Sequence, residues 1–185
     1  MPAEKVLISV LGSDRPGIVA AVSRVLSENA CNIEDVSQTI LQSEFAGVFM
    51  ASLPEGLSMK ALESKLTAHL QPAGLAVLLR PVKESEKYQA PPSQPFVITT
   101  FGPDRLGLVA GMTEVMARFG VNIKNLRAAF RGGSDPRRNV MIYEVDIPLH
   151  IDQQAFRKAL RQRADDLGLD LSLQHRDIFE AVHRI

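Results

Sequence analysis

The chain repeats itself, and the repeat constrains the fold more than any other feature does. VLISVLGSDRPGIVAA (residues 6–21) is answered by FVITTFGPDRLGLVAG (residues 96–111) at a constant offset of 90. The offset pairs Gly12 with Gly102, Asp14 with Asp104, Arg15 with Arg105, Gly17 with Gly107, Asn32 with Asn122 and Ile33 with Ile123. A unit of about 80 residues written twice makes one large domain the weaker reading. Between the copies, residues 83–95 are polar and then proline-rich, the composition of a semi-extended linker. The expected division is a first module over 1–82, a linker over 83–95, a second module over 96–178 and a tail over 179–185. The tail, with apolar residues at 178, 179, 182 and 185, has a helix-like spacing.

Within each copy the hydrophobic period changes in the same order. Residues 6–11 and 96–101 read as two-sided strands. Ile18, Val19, Val22, Val25 and Leu26 then form a helical stripe, repeated by Leu108, Val109, Met112, Val115 and Met116. The Asn-Ile of each copy opens a second strand. In the third strand of the second copy, Met141, Tyr143, Val145 and Ile147 alternate with polar or lesser apolar residues. A second helix carries Leu62, Leu66 and Leu70 in one copy and Phe156, Ala159, Leu160 and Leu167 in the other. The closing strand, with Leu169, Leu171 and Leu173, is expected to have one dry and one wet face. The fold class is therefore α+β: two ferredoxin-like βαββαβ modules in tandem, each an antiparallel sheet covered by two helices.

Composition narrows the function. Lysine plus arginine and aspartate plus glutamate are both 21, so no broad positive field exists to gather phosphates, and direct nucleic-acid binding is not expected. A membrane span and a signal peptide are not expected either, since the N-terminal apolar stretch is about six residues long. Cys31, the one cysteine, allows no intrachain disulfide and suits a reducing cytoplasm. Its counterpart is Val121, so a small buried apolar position is expected there. The four histidines have no metal-ligand spacing, and no nucleophile-elbow, Walker or dinucleotide string occurs. No catalytic residue, metal or cofactor is expected.

The repeated loop carries the candidate site. Asp14 and Asp104 precede the first helical stripe, where a carboxylate can cap the first turn. Pro16 suits that turn, and Leu106 replaces it in the second copy. Gly17 and Gly107 fall where glycine gains nothing by packing. They admit either a neighbouring element or a ligand carboxylate at the positive end of the helix. Asn32 and Asn122 can serve a turn, through αL tolerance, or read the carboxylate and ammonium of an amino acid. Arg15 and Arg105 either steer an anion or form solvated pairs with the adjacent aspartates. One expected site is Gly12, Asp14, Arg15, Gly17, Ile18 and Asn32. The other is Gly102, Asp104, Arg105, Gly107, Leu108 and Asn122, both at a face between modules. About four extra residues follow the second strand of the second copy, because Pro54 aligns with Pro148. Arg131, Arg137 and Arg138 in that basic hairpin tip are candidates for a protein-partner contact.

The strings GSDRPGIV (12–19) and GPDRLGLV (102–109), each followed by Asn-Ile, resemble the loop of ACT domains. That resemblance implies a βαββαβ module that binds an amino acid and regulates an enzyme or transcription. A chain made of two such modules resembles the glycine cleavage system transcriptional repressor family. This implies a cytoplasmic, non-enzymatic repressor that binds a small amino acid, glycine favoured, and acts through a separate transcription activator. An amino-acid-binding regulatory subunit of a metabolic enzyme is the alternative, and a homodimer is compatible with either.

Overall fold

The computed structural model describes residues 4–82, 89–129 and 139–183. The linker core and the hairpin tip with Arg131, Arg137 and Arg138 lie outside the described residues. The chain divides into two compact units, Met1–Tyr88 and Gln89–Ile185. The first runs β1 (Lys5–Ser13), α1 (Ile18–Glu28), β2 (Asn32–Leu41), β3 (Glu44–Ser52), α2 (Met59–Leu70), a 3-10 turn (Gln71–Ala73) and β4 (Ala76–Pro81). The second runs β5 (Ser93–Gly102), α3 (Leu108–Arg118), β6 (Asn122–Ala129), β7 (Asn139–Pro148), α4 (Gln153–Asp166), β8 (Asp170–His175) and α5 (Arg176–His183). Both sheets are antiparallel, with strand orders β2-β3-β1-β4 and β6-β7-β5-β8. These are two ferredoxin-like βαββαβ modules in tandem.

Alternation along the central strands decides which face is dry. Val6, Ile8 and Val10 of β1 turn inward, beside Phe45, Phe49 and Ala51 of β3. The stripes of α1 (Ile18, Val22, Val25, Leu26) and α2 (Leu62, Leu66, Leu70) close over them. In the second unit, Phe96 and Ile98 of β5 and Met141, Tyr143, Val145 and Ile147 of β7 meet Leu108, Met112 and Met116 of α3 and Phe156 and Leu160 of α4. Each fully buried leucine contributes about 1.5–3 kcal/mol by leaving water. Cys31 and Val121 are both buried, as small apolar positions should be, and burial raises the Cys31 thiol pKa while Lys65 opposes the rise.

The outer faces differ between the units. On the first, Leu11, Val48 and Leu78 are exposed. On the second, Val97 and Thr99 are only 3% and 8% exposed, because α5 packs on β5 and β8 and Phe179 lies over that face. The expected wet side of β8 is thereby corrected: Ser172 and Gln174 are half-buried like Leu171 and Leu173. β5 also begins at Ser93, three residues before the expected strand start.

Candidate functional site

Each repeated loop leaves the C-terminal end of a central strand and enters a helix. α1 begins at Ile18 and its N-cap is Gly17, held left-handed at φ 98°; α3 begins at Leu108 after Gly107 at φ 84°. A side chain in that region is strained, which is why glycine stands at both positions. A Cβ built on either glycine meets nothing within 4 Å. Close packing by a neighbouring element within the module is therefore not what these glycines serve. The helix ends stay open to solvent, and the first-turn N–H groups have no intrahelical acceptor.

The expected caps do not form. No side chain caps α1 or α3. Asp14 lies four residues before the first helical residue, and its N–H donates to the Ser43 carbonyl at 2.7 Å, pinning the loop to the β2–β3 turn. Pro16 and Leu106 precede the cap and so lie outside the first turn, Leu106 being wholly exposed. The second helices are capped as sequence chemistry would have it: Ser58 Oγ accepts from Ala61 N–H, and Asp152 Oδ1 accepts from Gln154 and Ala155 N–H.

Arg15 is not paired with its neighbouring aspartate either. Its guanidinium donates to the Ala73 carbonyl in the turn after α2. Arg105 reaches the equivalent turn, its guanidinium beside Gly168. The same turn explains Gly12 and Gly102. A Cβ on Gly12 would lie 2.7 Å from the Gly74 carbonyl oxygen, and one on Gly102 2.9 Å from that of Gly168. Loop and turn lie against each other in both copies, and in the first the arginine bonds them together.

A hollow of about 260 Å³ opens against the first loop, lined by Asp14, Arg15, Gly17, Ile18, Gln38 and Phe45, among others. Four expected site residues come together there, joined by Gln38 and Phe45. The alternation of β3 marks Phe45 only as core, and nothing in the repeat marks Gln38. Asn32 does not join them. Gly12 pairs with Phe45 and Asn32 with Ser52, seven residues along β3, or roughly 23 Å at strand rise. Gly102 and Asn122 are separated in the same way, opposite Asn139 and Asp146. Within one module the asparagine and the loop cannot hold one small ligand. The αL turn position also falls elsewhere, to Ala30 (φ 54°) and Gly120 (φ 68°).

Two larger hollows belong to the second module. One of about 440 Å³ is the mainly apolar outer-face groove under Phe179. The other, about 430 Å³, lies along α3 and α4, where Arg163 bonds Glu114 at 3.0 Å and the Gly111 carbonyl. Among the described residues no group of three or more His, Cys, Asp or Glu could hold a metal ion. No described helix is long and apolar enough to cross a membrane.

Some known proteins match one module of this chain and others match both. A UPF0237 protein of Methanopyrus kandleri is 46% identical over 70 residues, 38% of this chain and 74% of its own length. One of Methanosarcina acetivorans is 36% identical over 94 residues, 50% of this chain and 98% of its own. Each match is one module long. Across both modules, the crystal structure of an unknown protein from Galdieria sulphuraria superposes with a TM-score of 0.74 at 26% identity, covering 94% of this chain and 98% of that one. A candidate glycine cleavage system transcriptional repressor superposes with a TM-score of 0.69 over the same shares, and at 18% identity it shares the fold. The ACT domain model matches residues 4–79 and again 94–174. This chain belongs to the ACT domain family and carries the domain twice.

Proposed function

We propose that this regulatory protein senses a small amino acid and has no catalytic role, with glycine the favoured ligand and repression of transcription through a separate DNA-binding activator the output. One observation supports the reading most. In both modules a left-handed glycine leaves the positive end of a buried helix open, with unoccupied space where its side chain would be. The carboxylate of an amino acid suits that position. The loop residues Gly12, Asp14, Arg15, Gly17 and Ile18, and Gly102, Asp104, Arg105, Gly107 and Leu108, are the proposed ligand-binding segments. Asn32 and Asn122, at the other end of each sheet, are proposed as a contact to a different group. The arginines at 131, 137 and 138 remain the proposed contact to the protein partner.

Calorimetry on the full chain with glycine, L-alanine and L-serine tests the sensor reading. Saturable binding is expected for at least one, weakened at least tenfold in a Gly17→Val, Gly107→Val double variant. Absence of binding by all three would remove the reading. Purification of the tagged chain from its own cells with and without glycine separates the outputs: a DNA-binding regulator is expected among the retained proteins. A metabolic enzyme in its place would favour the regulatory-subunit alternative.

A further inference from the structure

The modules differ where their inner faces meet the recognition loops. In the first, Phe45 stands opposite Gly12 and lines the hollow under the loop. The residue opposite Gly102 in the second is Asn139. One step along the same face, Val10 opposite Gly47 becomes Thr100 opposite Met141. Thr100 is fully buried and Asn139 is 6% exposed, yet Thr100 Oγ1 and Asn139 Oδ1 have no hydrogen-bond partner among the described residues. They are diagonal neighbours on adjacent strands, roughly 7–8 Å apart.

Buried polar atoms are normally paired, and a pair left open at one place marks a ligand or a water. These two lie beneath a loop whose helix end suits an anion. The counterpart of Asn139 lines the first module's hollow, so Asn139 holds the corresponding place beneath the second loop. The arginines of the two loops also differ. Arg15 is fastened to Ala73, while Arg105 makes no hydrogen bond among the described residues.

We infer that the second module is the one that recognises the amino acid: Asn139 Oδ1 and Thr100 Oγ1 accept from the ligand ammonium while its carboxylate meets the N-terminal N–H groups of α3. The first module, with Phe45 and Val10 at these places, has an apolar floor and no buried acceptor there, its polar groups Asp14 and Gln38 lying elsewhere in the lining of the hollow. This rests on the sensor reading and assigns it to one copy.

The test is calorimetry with glycine, L-alanine and L-serine on the full chain carrying Thr100→Val or Asn139→Leu. Each removes an acceptor and keeps the branching of the side chain, and the valine copies the first module. Tm is expected at or above that of the wild type, because an unsatisfied polar group leaves the core. The affinity of whichever amino acid binds is expected to fall at least tenfold. A structural role alone would not move stability and affinity in opposite directions. If Asn139→Leu fails to fold, Thr100→Val carries the test. Unchanged affinity in the variants would overturn the assignment to the second module and leave the sensor reading standing; a wild-type chain silent toward all three ligands would overturn both.

Discussion

The first module fills the space under its central strands with two aromatic rings, and the second fills it with a thioether, a phenol and a carboxamide. Phe45 and Phe49 crowd over Gly47, where a Cβ would lie 2.7 Å from the Phe45 ring. At the matching places stand Asn139, Tyr143 and Met141, the Tyr143 hydroxyl resting on the Met141 sulfur at 3.3 Å. Bulk has moved from the flanks to the centre of the triplet while the strand register is unchanged. Volume and periodicity are what the βαββαβ frame requires; polarity at these three places is free to vary, and with it what the loop above can bind.

The largest test of that comparison empties matching core positions. Leu66→Ala and Leu160→Ala each delete a fully buried side chain and are expected to cost about 2–5 kcal/mol. In a denaturant melt followed by module-specific probes, each is expected to lower the stability of its own module. Equal losses in both modules from either variant would break the picture of two separate cores.

Smaller effects follow at the helix entrances. Gly17→Ala and Gly107→Ala are each expected to cost about 1–2 kcal/mol through the left-handed backbone alone, since no neighbour is struck. A markedly larger loss in one would show that its loop is braced by something more. Capping gives a sharper contrast: Asp152→Ala is expected to cost about 1 kcal/mol. Asp14→Ala, which caps nothing, is expected to stay within about 0.5 kcal/mol. Chemical denaturation of both variants measures the difference.

The smallest effect at neutral pH is that of Tyr143→Phe, which copies the first module. Burial pushes the Tyr143 pKa from its usual 10 up to about 12. Between those values the unfolded chain loses the phenolic proton before the folded one, so this residue lowers stability as pH rises through 10 to 12 and contributes no pH dependence below. The stability of the second module is expected to fall over that window, with the fall reduced in Tyr143→Phe. An identical pH profile in the variant would show that the phenol ionises as freely folded as unfolded.

The frame was legible because its evidence is periodic and doubled: the inward residues of β1 and β5, the stripes of α1 and α3, and the leucines of α2 recur at fixed spacing. What escaped depends on single contacts across the fold. Asp14 reads as a cap until its N–H is seen bonded to Ser43 and the helix start is seen to have no side-chain cap. Asn32 follows the loop by one helix but starts its strand at the far end of the sheet. The replacement of Phe45 by Asn139 hides behind the hairpin insertion, which moves the offset from 90 to 94 between Ile33 and Phe45. The cover over β5 has no counterpart among the described residues of the first copy, so repetition could not announce it.

One irregularity holds a record of how the chain came about. The second strand of each module slips register between Ile33 and Asp35, and again between Ile123 and Asn125. A single extra residue of this kind turns the side chains of the rest of the strand to the opposite face of the sheet. Losing it from one copy would shift the register of every following pair with the central strand, although all the side chains beyond the slip are exposed. Two copies that share the slip at the same place are what the doubling of one module that already had it would leave.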